Sequence, residues 1–131
     1  MPSIEIRPAI KNDLETILAL EHSLATSRAW QMEQVFESGQ ISIRFREVNL
    51  PRSLRLAYPR KPDNIRQEWD NRSLILVACS HGKIIGYMDL IHPPASNLAW
   101  VLDIVVKEDH RRQGIGSALL MAAYEWAAAR G

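Results

Sequence analysis

The sequence predicts an α/β fold in which a mostly antiparallel sheet is flanked by helices, and three observations carry that prediction. Two apolar runs, Leu74 to Cys79 and Lys83 to Ile91, are joined by His81-Gly82, which has the chemistry of a tight hairpin turn. A third apolar strand, Leu98 to Val106, leads through a short polar turn into a helix from Gly114 to Arg130. That helix carries Ile115, Leu119, Ala122 and Trp126 as an apolar stripe.

The remaining elements follow in order. Ser3-Ile-Glu-Ile-Arg-Pro8 alternates and reads as a first strand. Asn12 or Asp13 can cap a helix through about Ser23, with Leu14, Ile17, Leu18 and Leu20 or Leu24 on one face. Gln40 to Val48 alternates, which predicts Ile41, Ile43 and Phe45 facing inward and Ser42, Arg44 and Arg46 facing outward. Ser38-Gly39 suits a turn from a preceding strand at Trp30 to Phe36, where a short helix competes. Leu54, Leu56 and Tyr58 predict a further extended piece beyond a turn at Pro51. Pro62-Asp63 starts a helix to about Asn71 with Ile65 and Trp69 on one face, and Pro93-Pro94 closes the strand before Leu98.

Composition bounds the function classes. A chain of 131 residues, 47% apolar and 24% charged, fits one soluble globular domain spanning residues 1–131. The net charge of +1 argues against nucleic acid or a membrane surface as a bulk partner. Arg44, Arg46, Arg52, Arg55, Arg60 and Lys61 have little aromatic interleaving and read as a solvated edge. The single cysteine, Cys79, lies in an apolar run and is expected to be buried, which suits a reducing cytoplasm. The N-terminus lacks the pattern of a secretory signal, and no apolar run approaches the ~20 residues of a membrane span. His22, His81, His92 and His110 lie on different elements without metal-ligand spacing, so no metal is expected.

The chemistry concentrates between Asp103 and Leu120. The start of the last helix offers unpaired backbone N–H groups and about half a positive charge. Gly114 and Gly116 carry no Cβ, so a ligand can approach the backbone, while Arg111 and Arg112 add positive charge. Such a site suits a pyrophosphate. A bare Gly-x-Gly is shared by Rossmann and P-loop sites, but neither Gly-x-Gly-x-x-Gly nor Gly-Lys-Ser/Thr occurs here.

Arg111-x-x-Gly114-x-Gly116, following an apolar strand that ends in valine, resembles the (Gln/Arg)-x-x-Gly-x-(Gly/Ala) signature of the GNAT superfamily of acyl-CoA-dependent N-acetyltransferases. The resemblance implies a GNAT-like, mostly antiparallel twisted sheet flanked by helices. It also implies that the C-terminal part of that fold lies beyond Gly131, since a typical family domain continues with further strands and a helix. The implied reaction moves an acetyl group from acetyl-CoA to a primary amine by direct attack in a ternary complex, with no metal. In this reading Ile104, Val105 and Val106 offer backbone groups to the pantetheine arm, and the Val106 N–H polarises the acetyl carbonyl. Arg111, Arg112, Gln113, Gly114, Ile115, Gly116 and Ser117 carry the pyrophosphate. Asp103 interrupts an apolar strand, and two roles stand open for it: a structural carboxylate, or the group that holds or deprotonates the amine.

The stretches Trp100 to Val106 and Tyr124 to Gly131 look similar to the streptothricin acetyltransferase branch, and the signature region also to bacterial ribosomal-protein alanine acetyltransferases. The acceptor is then a small-molecule amine, a protein N-terminus or a lysine. Asp103 and Asp89, with Glu33 as a third candidate, would attract its cation, and Trp30 and Trp69 have the better claim to its pocket among the tryptophans. A homodimer stays open. The competing class is a non-catalytic CoA-binding or regulatory module of the same fold.

Overall fold

The computed structural model describes residues 3–131. In chain order the elements are β1 (Ile4–Pro8), α1 (Leu14–Ala19), β2 (Leu24–Glu37), β3 (Gln40–Leu56), α2 (Asn64–Glu68), β4 (Leu74–Ser80), β5 (Lys83–Ile91), β6 (Trp100–Val106) and α3 (Ile115–Ala128). They fall into two compact units. Residues 23–58 form one, and the flanking segments form the other.

The larger unit is a four-stranded sheet in the order β1-β4-β5-β6, with every neighbouring pair antiparallel. β4 sits inside this sheet and is buried along most of its length, which the run Leu-Ile-Leu-Val-Ala-Cys requires. His81 and Gly82 both take positive φ (51° and 76°), the geometry of the two-residue turn expected there. On one face Leu76, Ala78, Met88 and Leu90 pack with Ile115, Leu119 and Ala123 of α3. The apolar stripe of α3 thus runs as expected, with Ala123 more deeply buried than Ala122 or Trp126. The other face is served by α1, whose Leu14 and Ile17 are buried and which packs on β5.

Two one-residue offsets shape the sheet. Asp89 pairs with Asp103 but Leu90 pairs with Val101, so Leu102 is an extra residue on β6. A similar offset leaves Ile85 extra on β5. At Gly86 the neighbouring strand comes so close that an added Cβ would stand 2.9 Å from the Val105 carbonyl oxygen.

Several expected boundaries move. α1 ends at Ala19 rather than near Ser23, because Leu20 is already extended and its carbonyl bonds the His22 ring at 2.6 Å. Asp13 does not cap α1. Its carboxylate instead accepts from Arg7 and from the Ile10 N–H, at 2.8 Å each. α2 begins at Asn64 and passes into a 3-10 turn, Trp69–Asn71, while β6 begins at Trp100 rather than Leu98.

The smaller unit is an antiparallel ribbon of β2 and β3 turning at Ser38-Gly39, where Gly39 has φ 73°. A helix at Trp30 to Phe36 therefore loses to the strand. β3 does not break at Pro51 but continues to Leu56. The register shifts between Thr26 and Arg28, so Pro51 sits in a bulge where its missing N–H forfeits no ladder bond. Ile41, Ile43 and Phe45 share one face as the alternation requires, yet they do not face inward. They are 65%, 57% and 61% exposed, and no residue of the ribbon is buried.

Among the described residues no helix is long and apolar enough to cross a membrane. Leu119 is fully buried between α3 and the sheet. Leu119→Ala should therefore lower unfolding free energy by ~2–5 kcal/mol, measured by denaturant titration, whereas the exposed Leu120→Ala should change it little.

Candidate functional site

The residues expected to hold a pyrophosphate converge at the start of α3. Gly114, just before the helix, has φ 85°, and no side chain caps the helix, so its first N–H groups stay available to a ligand. Arg112 also takes a positive φ, 64°. Val106, His110, Arg112, Gly114, Gly116 and Ser117 line an open pocket of about 410 Å³ there. A Cβ on Gly114 would meet nothing within 4 Å, and one on Gly116 would meet only Ile104 Cδ1, at 3.9 Å. The glycines thus leave room for a ligand rather than for the protein's own chain.

The other signature residues take varied positions. Gln113 is exposed at the loop, and Ile115 buries its side chain in the core, leaving only its backbone for a ligand. Arg111 turns its guanidinium onto the protein: Nε donates to the Val106 carbonyl at 2.7 Å and Nη2 to the Glu21 carbonyl at 3.0 Å. Arg112 remains exposed beside the loop.

Among the described residues β6 pairs with β5 alone, at the edge of its sheet. The Lys107 N–H donates back to Ile85 at 2.7 Å, while the Val106 carbonyl is taken by Arg111. Alternation along an antiparallel ladder then turns the N–H groups of Ile104 and Val106 toward the open edge, and that of Val105 toward β5. The Val105 side chain is buried, and Ile104 is half-exposed.

Asp103 and Asp89 stand opposite each other on β6 and β5, with Val105 and Tyr87 the next pair on the same face. Asp89 is fully buried and accepts from Arg72 Nε at 2.7 Å. Asp103 is gripped by Arg60, with Nε 3.2 Å from Oδ1 and Nη2 2.8 Å from Oδ2. Burial first, and the Asp103 carboxyl second, push Asp89 up to about 7 against the opposing pull of Arg72. Asp103 borders a cavity of about 370 Å³, lined also by Arg60, Asn64, Glu68, Arg72 and Tyr87. Tyr87 OH lies 2.9 Å from His22 Nε2, and His22 Nδ1 faces the Leu20 carbonyl. The Leu20 carbonyl accepts from Nδ1–H of the imidazole, which leaves Nε2 directed at the tyrosine hydroxyl.

Sequence reasoning missed four of these groups. Arg60 reads from sequence as part of a solvated edge but is an ion-pair partner of Asp103. Arg72, Tyr87 and His22 carry no motif. The signal available was Tyr87-x-Asp89, two polar-bearing residues on one face of an otherwise apolar strand. Other candidates sit elsewhere. Glu33 pairs with Arg46 at 3.2 Å in the ribbon, where Trp30 is 68% exposed. Trp69 lies under the Lys11 ammonium, 5.4 Å from its ring centre.

A family profile for the acetyltransferase (GNAT) family matches residues 39–131. The chain belongs to the GNAT acetyltransferase family. Among solved structures it is similar to nourseothricin acetyltransferase, with 27% identity and a TM-score of 0.74 over 98% of this chain and 68% of that one. It shares its fold with a candidate streptothricin acetyltransferase from Bacillus anthracis str. Ames, solved in complex with acetyl coenzyme A (23% identity, TM-score 0.67, 96% and 69% of the two chains). The ribosomal-protein-S18-alanine N-acetyltransferase of Escherichia coli also shares it, at 18% identity and a TM-score of 0.66, over 98% of this chain and 62% of that one. The chain thus spans about two thirds of these structures. No curated protein compared matches it in sequence.

The raised Asp89 has a consequence for this GNAT chain's stability. Between the ordinary 3.8 and about 7 the folded chain keeps a proton that the unfolded chain has released, so stability should fall as pH rises through that window. Asp89→Asn removes the titration. Its melting temperature should vary less than the wild type's between pH 4.5 and pH 7.5, as scanning calorimetry would show.

Proposed function

We propose that this chain carries an N-acetyltransferase that moves the acetyl group of acetyl-CoA to a primary amine by direct attack in a ternary complex. One observation supports the reading above others. The uncapped, glycine-marked start of α3 opens beside an edge strand whose Val106 N–H faces outward, and Asp103 stands three residues earlier on that strand. These are the parts a thioester acyl transfer asks of a protein: an anchor for the cofactor's phosphates, a donor for the carbonyl, and a base for the amine.

The residues at the α3 start fit the cofactor. The N–H groups of Gly114 to Ser117, with the Ser117 hydroxyl and Arg112, would hold the pyrophosphate, and the backbone of Ile104 to Val106 would receive the pantetheine arm. Bound there, acetyl-CoA supplies an activated acetyl group and leaves as the thiol. The Val106 N–H would stabilise negative charge on the acetyl oxygen as the amine nitrogen bonds to the carbonyl carbon and the carbon–sulfur bond breaks. Asp103 would hold the acceptor's ammonium in the place now taken by Arg60, then accept its proton directly or through water. Asp89, holding a proton near neutrality, leaves the neighbouring negative charge to Asp103. The acceptor is a small-molecule amine, a protein N-terminus or a lysine. The single buried cysteine supports work in a reducing cytoplasm.

Gly116 gives the clean test of the anchor, because Gly114 needs its positive φ and its substitution strains the fold as well. Gly116→Val should weaken acetyl-CoA binding by about tenfold or more, ~1.4 kcal/mol, by calorimetric titration, with a smaller loss of stability. An unchanged affinity in the folded variant would remove the cofactor assignment.

Asp103→Asn tests the base. With CoA release across a panel of amines as readout, turnover should fall ~10²-fold or more while acetyl-CoA affinity stays near normal. Turnover within a few-fold of wild type, together with a lower melting temperature, would make Asp103 a structural partner of Arg60 and place the base elsewhere.

A further inference from the structure

We propose that the apolar face of the β2–β3 ribbon is a self-association surface, and that it binds the same face of a second copy of this chain. The face is set by the register. Trp30, Met32 and Phe36 of β2 share a face with Phe45, Ile43 and Ile41 of β3, Met32 opposite Phe45 and Phe36 opposite Ile41, and the other face carries Gln31, Glu33, Arg44 and Arg46. All six apolar side chains are exposed, from 51% for Met32 to 69% for Phe36. A two-stranded ribbon that buries neither face is marginal in water, so this face needs a cover to hold its strands together.

Area and charge both select a second copy. The six side chains present roughly 700 Å² of exposed apolar surface, close to the ~800 Å² each partner contributes to a standard stable interface. A two-fold pairing puts the same patch on both sides, so the patch must be apolar and free of net charge to complement itself. The charged residues on this face, Arg28 and Glu47, meet that condition because they neutralise each other at 2.9 Å. On the face itself the pairing of Arg28 with Glu47 leaves no net charge for a polyanion or an anionic membrane surface to recognise. Two ribbons stacked face to face at ~10 Å would bury all twelve side chains in one dry layer.

Sedimentation equilibrium of the full chain at tens of micromolar should give a dimer. Ile43→Glu with Phe45→Glu should weaken association about tenfold or more, while Val35→Glu on the opposite face should not. Circular dichroism and melting of the larger unit would show that the variants remain folded. A test that does not disturb packing uses Gln34→Cys, at the middle of the face, against Ser42→Cys on the back. The first should cross-link between copies on oxidation and the second should not, with buried Cys79 silent in both. A monomeric wild type, with or without binding to lipid vesicles, overturns the proposal. So does a dimer that survives Ile43→Glu with Phe45→Glu and cross-links no better through Gln34→Cys than through Ser42→Cys.

Discussion

Asp89 and Asp103 face each other across two strands that are otherwise apolar, and carboxylates in such a place cost several kcal/mol each unless cations or a proton accompany them. Both kinds of compensation are present. Arg72 reaches Asp89, Arg60 reaches Asp103, and Asp89 is pushed toward keeping its proton at neutrality. The cost differs between the two acids. Asp89 is sealed, whereas Asp103 borders a cavity, so the pair has an inner member whose burial favours its protonated form and an outer member beside open space. The offset at Leu102 falls beside the outer member, where the β5–β6 register changes. A bulge beside a reactive group is a common way to aim a side chain off the regular pleat.

The glycine-marked end of the site rests on a different economy. Nothing there is costly: glycines leave space, the helix leaves N–H groups, and positive φ at Arg112 and Gly114 lets the loop turn sharply enough to present them. The acid pair depends on partners from distant parts of the chain, and the glycine loop depends almost wholly on its own few residues. The two ends of β6 therefore differ in how they tolerate substitution. Changes around Asp103 disturb Arg60, Arg72 and the sheet together, and changes around Gly116 disturb little besides space for a ligand.

That contrast also decides what could be read from the sequence. The β4–β5 hairpin, the α3 stripe and the loop before α3 are written in residues within one turn of each other, so period and turn chemistry sufficed. Arg60 lies 43 residues from Asp103, and an arginine after a proline has the same local pattern whether it meets water or a carboxylate. The same holds for His22 and Tyr87, which are 65 residues apart. In the ribbon, alternation identified the faces of Ile41, Ile43 and Phe45 correctly. Period two says that a face exists, however, and not that the same chain covers it.

Arg111 is the residue of the signature whose behaviour departs most from its motif. One guanidinium bonds the carbonyls of both Val106 and Glu21, the second 90 residues away from Arg111 in sequence, by using the fork of donors that a planar side chain provides. The signature admits glutamine at this position, but glutamine has a shorter stem and a single donor nitrogen. A relative with glutamine there can serve the strand-end carbonyl or the one beyond the first helix, not both. Natural variation at this position should therefore travel with compensating change near residues 20–22, where another donor must satisfy the carbonyl that Arg111 satisfies here.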